Sequence, residues 1–162
     1  MQYIEYENTL ISPNELVSYF KDNNLDFNKP INITLGGKDY GDVFFCILHA
    51  ISYKRSSICD YYKAFIEAGA DINIKGEDYT ENLFNDIIES HNEKLLELCL
   101  PHFKLKYNTY IMFKVYIVLS NKQSYSKKYI KLIYKLISKF DRKKWKKRLA
   151  IFKSDPQYNI ID

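Results

Sequence analysis

Amphipathic helix signals recur in pairs along this chain, joined by short polar loops, and each apolar stripe so formed must be buried against a neighbouring helix. The first signal is a capping box. Ser12-Pro13-Asn14-Glu15 places a hydroxyl at the N-cap, Pro at the first helical position and a carboxylate three residues on, ahead of Leu16, Val17, Tyr19 and Phe20. It predicts a helix over 13–23. An apolar run over 43–53, a break at Lys54-Arg55-Ser56-Ser57 and a second run over 58–68, with Tyr61, Tyr62, Phe65 and Ile66 inward, make the first pair. Residues 83–90 and 92–100, ended by Pro101, make the second, and 110–119 with 126–140 the third. The last of these carries Tyr129, Ile130, Ile133, Leu136, Ile137 and Phe140 on one stripe. Lys127, Lys128, Lys131, Lys135 and Lys139 fill its other side. Asp141 caps a final helix reaching Lys153, and Pro156 opens a frayed tail. Ahead of the first pair, 23–41 reads as an extended, turn-rich connector in which Asn23-Asn24 and Gly36-Gly37 can take positive φ.

Composition agrees with helices. Five Gly and four Pro are roughly half the usual share, too few for the many tight turns of an all-β fold. Apolar residues at 46% and charged residues at 27% are globular proportions, and 162 residues suit one domain or a short repeat array. MQYIEYENTL shows no basic segment followed by an apolar one, and no apolar run approaches about 18 residues, so neither a secretory leader nor a membrane span is expected. Cys46, Cys59 and Cys99 are an odd, sparse set that cannot form a disulfide framework, which fits a reducing cytoplasm.

The helix pairs have a period close to 33. Phe65-Ile66-Glu67-Ala68-Gly69-Ala70-Asp71-Ile72-Asn73 resembles the end of an ankyrin repeat, whose second helix closes with a leucine pair, Gly-Ala-Asp, an aliphatic residue and Asn. Thirty-three residues after Phe65 comes Leu98, where the Gly-Ala-Asp signature is replaced by Leu98-Cys99-Leu100-Pro101-His102-Phe103. Gly69 suits a left-handed cap, Ala70 a tight turn and Ile72 burial, while Asp71 and Asn73 can hydrogen-bond the backbone that follows. The resemblance is clearest over 58–76 and extends over 39–103. The family's Thr-Pro-Leu-His opening is degraded to Asn82-Leu83-Phe84-Asn85, and the third pair keeps only the periodicity. The expected fold is therefore all-α: a short α-solenoid of about three ankyrin-like helix pairs with N- and C-terminal capping helices, a generic α-solenoid being the alternative. One domain over 1–162 is expected, with 1–38 as N-terminal cap and connector, 39–103 as the two clearest repeats and 104–162 as a basic helical part.

Reactive constellations are sparse. Cys46-Ile47-Leu48-His49 and Cys99-Leu100-Pro101-His102 superficially form a Cys2His2 set, but 49 residues separate His49 from Cys99 and Cys46 lies at an apolar helical position. No metal or other cofactor is expected. His49, His91 and His102 have no nucleophile motif beside them, and Gly36-Gly37-Lys38 is followed by Asp39 and not by the Ser/Thr of a phosphate cradle. Asp78 and Glu81 sit on a loop, where solvent screens them. The expectation is a protein without catalysis.

Charge is the most informative remaining feature. Residues 1–103 hold eight Lys/Arg and seventeen Asp/Glu, a net of −9, whereas 104–162 hold sixteen and three, a net of +13. The ankyrin-like resemblance implies protein contacts through hairpin tips and the groove: Lys38, Asp39 and Tyr40 on one tip, Glu77, Asp78, Tyr79 and Glu81 on the next, Glu89 and Ser90 along the groove. Acidic groups interleaved with Tyr suit a basic protein partner, such as a toxin or enzyme whose active site an inhibitor or immunity-type protein occludes. The alternative is nucleic-acid or anionic-membrane-surface binding through Arg142-Lys143-Lys144-Trp145-Lys146-Lys147-Arg148, six cations around one ring. With 21 Lys against 3 Arg, such contact would be non-specific. A third reading of the same run is a solvated face that keeps a solenoid end in solution.

Overall fold

The computed structural model describes residues 2–6, 12–29, 31–35, 38–43, 58–73, 83–104 and 109–155. The chain divides into two compact units, Met1–Ser90 and His91–Asp162. Seven α-helices carry most of the described residues, as the helix signals predict, and a small sheet accompanies them in the first unit.

That unit runs β1 (Gln2–Tyr6), α1 (Pro13–Asp22), β2 (Ile31–Leu35), β3 (Lys38–Val43), α2 (Ile58–Glu67) and α3 (Leu83–Glu89). The capping box forms: Glu15 N–H donates to Ser12 Oγ at 3.2 Å and Ser12 N–H to Glu15 Oε2 at 2.9 Å. These bonds satisfy two orphan donors and hold the Glu15 carboxyl below its usual value, the backbone bond contributing most. The helix closes on Asn24, left-handed at φ +51°, with Leu25 N–H donating to Phe20 O at 2.8 Å and Asn24 N–H to Lys21 O at 3.1 Å. Packing then ties α1 to α2. Phe20 stacks on Phe27 at 4.8 Å, and Phe65 meets both rings edge-on at 5.4 and 5.2 Å.

The connector expectation needs correction, because part of 23–41 is sheet. β2 pairs antiparallel with β3 and parallel with β1, in the order β1-β2-β3, with α1 as the crossover that a parallel pair requires. Ile31-Asn32-Ile33-Thr34-Leu35 alternates with period two, and Leu35 pairs with Lys38, so two residues separate the strands as in a tight hairpin. β3, Lys-Asp-Tyr-Gly-Asp-Val, has little strand propensity of its own and forms on β2. Val43 ends β3 and does not begin a helix; the remainder of the helix expected over 43–53 lies outside the described residues. In α3, Leu83, Phe84, Ile87 and Ile88 are buried together with Asn85 and Asp86, so this short helix is enclosed on nearly every side.

The second unit runs α4 (Glu93–Cys99), a 3-10 turn (Leu100–His102), α5 (Thr109–Ser120), a second 3-10 turn (Lys122–Ser124), α6 (Lys127–Ile137) and α7 (Arg142–Ser154). Asn92, Ser126 and Asp141 cap α4, α6 and α7, accepting from the N–H groups of Leu95, Tyr129 and Lys144 at 3.1, 3.0 and 2.8 Å. α4 packs on α6, and α5 on both α6 and α7. The starts of α4 and α6 lie 34 residues apart and those of α5 and α7 lie 33 apart, so helices stack on partners one period along. Leu96, Cys99, Val115, Ile133 and Leu136 are fully buried between them. α6 stops three residues short of the predicted 140. Ser138 Oγ donates back to Lys135 O at 2.6 Å, and Phe140 leaves the stripe to meet Trp145, its ring 5.4 Å away. Among the described residues, no helix is long and apolar enough to cross a membrane.

Candidate interaction surfaces

The turn Gly69–Asn73 in the first unit is closed by hydrogen bonds. Gly69 adopts φ +102°, its N–H donates to Ile66 O at 3.1 Å, and Ala70 N–H reaches Phe65 O at 2.9 Å, the paired closure of a Schellman motif. Asp71 Oδ1 then accepts from both Asn73 N–H and Asn73 Nδ2, at 2.9 and 2.7 Å, while Asp71 N–H donates to Asn28 Oδ1 at 2.8 Å. The clasp is local, Asp71 to Asn73, with Asn28 as an external brace absent from the sequence argument. Ile72, expected to be buried, is 2% exposed.

Of the residues expected to contact a protein, five lie among the described residues, on β3 and at the end of α3. Lys38 and Asp39 open β3 at the hairpin turn, paired with Leu35 and Thr34, and Tyr40 follows them along the strand. Glu89 and Ser90 are exposed at the end of α3, where Ser90 Oγ donates to Ile87 O at 2.8 Å. Glu77, Asp78, Tyr79 and Glu81 lie outside the described residues. So do Cys46 and His49. Cys99 is fully buried whereas His102 is exposed, and the described residues contain no group of three or more His, Cys, Asp or Glu able to hold a metal.

On α7, Arg142, Lys143, Lys144, Lys146 and Lys147 are exposed and Arg148 is half-buried. Trp145 differs from the expectation: it is buried against Phe140, so it is a core side chain and offers no ring to a base. Phe152, enclosed with Phe113 and Tyr116, anchors the other end of the helix. Helical spacing agrees with this outcome, since Trp145 and Phe152 are seven residues apart and share one face of α7, on which Phe152 meets α5.

α6 is the second basic helix. Tyr129, Leu132, Ile133 and Leu136 are buried, and Lys127, Lys128, Lys131, Tyr134 and Lys135 are exposed opposite them. Lys128 Nζ pairs with Glu97 Oε2 at 2.8 Å; this bond, more than charge alone, lowers the Glu97 carboxyl and raises the Lys128 amine, with Lys135 adding to the former. Ser126 Oγ donates to Glu93. Lys139 donates to the carbonyls of Leu100 and Phe103 at 2.7 and 3.5 Å and so caps the turn after α4. Helical spacing places Lys128 and Lys139 among the solvent-side cations, yet both are engaged.

Two further features lie outside the sequence-based expectations. His91 is left-handed at φ +51°, and its ring meets Tyr125 edge-on at 5.0 Å, with Tyr125 stacked on Tyr129 at 5.3 Å. Tyr134, 54% exposed, is a ring left in solvent, legible only as the one aromatic on the lysine side of α6. The family-model scan and the searches of curated proteins and of solved structures return no match to this chain.

Proposed function

We propose that this chain is a non-catalytic, ankyrin-like protein-binding module, and specifically an inhibitor or immunity-type protein that occludes a basic partner such as a toxin. The observation that carries the reading is the turn Gly69–Asn73, whose paired backbone closure at Gly69 and Ala70 and whose Asp71–Asn73 clasp suit the close of a repeat whose second helix hands over to a binding loop. Stacking of α4 on α6 and of α5 on α7 at a period of 33–34 residues is consistent with such an array. The first unit holds seven basic and fifteen acidic residues, a net of −8, which suits a cationic partner. A tagged full-length chain is expected to retain one basic protein from its native cells at low salt and to release it as salt rises. Asp78→Lys with Glu81→Lys should abolish retention. A partner held equally well by that variant, or none held at all, refutes the acidic-surface reading.

A second reading is favoured by the exposure of Arg142, Lys143, Lys144, Lys146 and Lys147 along one helix: non-specific binding of nucleic acid or an anionic membrane surface. A gel shift that persists after K143Q, K144Q, K146Q and K147Q are combined removes α7 from it.

A further inference from the structure

We propose that the outer face of α6 is a binding site for single-stranded nucleic acid, with Tyr134 as the stacking platform and Lys127, Lys131 and Lys135 as the phosphate contacts. The inference rests on the second reading's premise that the basic unit meets polyanions, and it moves the site from α7 to α6. A sequence-tolerant single-strand site needs a row of cations and an accessible ring beside it. α7 supplies cations but buries its ring; α6 supplies both.

Lys127, Lys131 and Lys135 follow one another at four-residue steps, about 6 Å along the axis each, so a flexible phosphate backbone can run along the helix. Tyr134 is three residues from Lys131 and lies on the same side of α6. Ile130 and Ile137, four residues before Tyr134 and three after, are half-buried and neighbour it on the helix surface. Duplex nucleic acid gains little here, because its bases are already stacked on one another. An anionic bilayer is disfavoured too: Tyr129, Leu132, Ile133, Leu136, Trp145 and Phe152 are buried within the unit, which leaves α6 and α7 no apolar stripe to insert. Glu97, paired with Lys128 and close enough to Lys135 to feel its charge, is the local anion that competes with phosphate.

The test is fluorescence anisotropy of a labelled oligothymidylate with the full-length chain over a range of salt. Tyr134→Ala should weaken binding roughly tenfold at fixed salt without changing the salt dependence, and Tyr134→Phe should retain it. Lys131→Gln should reduce the slope of log K against log salt by about 0.7, and Glu97→Gln should tighten binding. Combining K143Q, K144Q, K146Q and K147Q should leave the Tyr134 effect in place. The inference is overturned if Tyr134→Ala binds like the parent chain, or if phosphatidylserine vesicles are bound and the oligonucleotide is not. Loss of oligonucleotide binding in the α7 variant with none in the α6 variants sinks this site while sparing the second reading; no binding to either probe sinks both.

Discussion

Replacing Gly69 by Ala isolates one conformational cost. A Cβ built at this position meets nothing within 4 Å, so no clash contributes. What remains is φ +102°, where an L residue is strained by roughly 1–2 kcal/mol, offset by about 0.4–1 kcal/mol because Ala narrows the unfolded ensemble. The net loss is about 1 kcal/mol if the turn holds. If the residue instead relaxes toward negative φ, the bonds from Gly69 N–H and Ala70 N–H are given up, each worth about 1 kcal/mol, and the loss approaches about 2 kcal/mol. For a chain of this length each kcal/mol lowers the melting temperature by about 2–4 °C. Urea unfolding measures the total, and hydrogen exchange at the Ala70 amide separates the two cases, since it accelerates only if the motif opens. Gly69→Asn should lose less than Ala. Stability of Gly69→Ala equal to or above that of the parent chain would refute the argument that this turn depends on glycine.

Trp145→Ala should cost about 3–5 kcal/mol in thermal or urea unfolding, against less than about 0.5 kcal/mol for Lys143→Gln two residues away on the solvent side; similar small losses would mean that Trp145 is not a core residue. Burial, and secondarily Tyr125, pushes the Tyr129 phenol above its ordinary 10.0, so its contribution is complete below pH 10.0 and is lost as pH rises toward the folded value. Alkaline unfolding followed by circular dichroism should therefore be delayed in Tyr129→Phe. The carboxyls of Glu15 and Glu97 are held below 4.5, so their contribution is present above that pH and fades as pH falls through the folded values. In acid titrations with and without added salt, Glu97→Gln should remove a small, salt-sensitive part of that loss, whereas Glu15→Gln should remove a part that salt leaves largely unchanged.

Helix caps and stripes were the legible part of this chain, because each is written in a few adjacent residues. Ser12, Asn92, Ser126 and Asp141 all cap as their sequence contexts require, and Gly69 and Asn24 take the left-handed φ that their residue types allow. The sheet was less legible. β2 carries its own alternating pattern, but β3 becomes a strand only through pairing, and β1 pairs with residues 29 positions further on. Local propensity does not report a partner at that distance. The same limit governs the basic surface. Counting charges finds the lysines of α6 and α7, yet whether a ring beside them faces solvent depends on which faces the neighbouring segments cover, and that choice buries Trp145 and leaves Tyr134 out. Nor does composition distinguish Lys139 from its neighbours, since the carbonyls it binds belong to a turn 36–39 residues earlier.

The engagement of Lys128 and Lys139 sets these two amines chemically apart from the exposed Lys127, Lys131 and Lys143. Acylating reagents attack the free amine, and Lys128, clasped by Glu97 with its pKa raised, offers little of it; the Lys139 amine already donates to two carbonyls. Lys127, Lys131 and Lys143 stand exposed. Under limiting reagent Lys127, Lys131 and Lys143 are modified before Lys128 and Lys139, and unfolding erases the difference. The slow pair marks the two struts that fasten α4 and its terminal turn to the segment 127–139, so a labelling map of this lysine-rich chain doubles as a measure of whether that seam is closed.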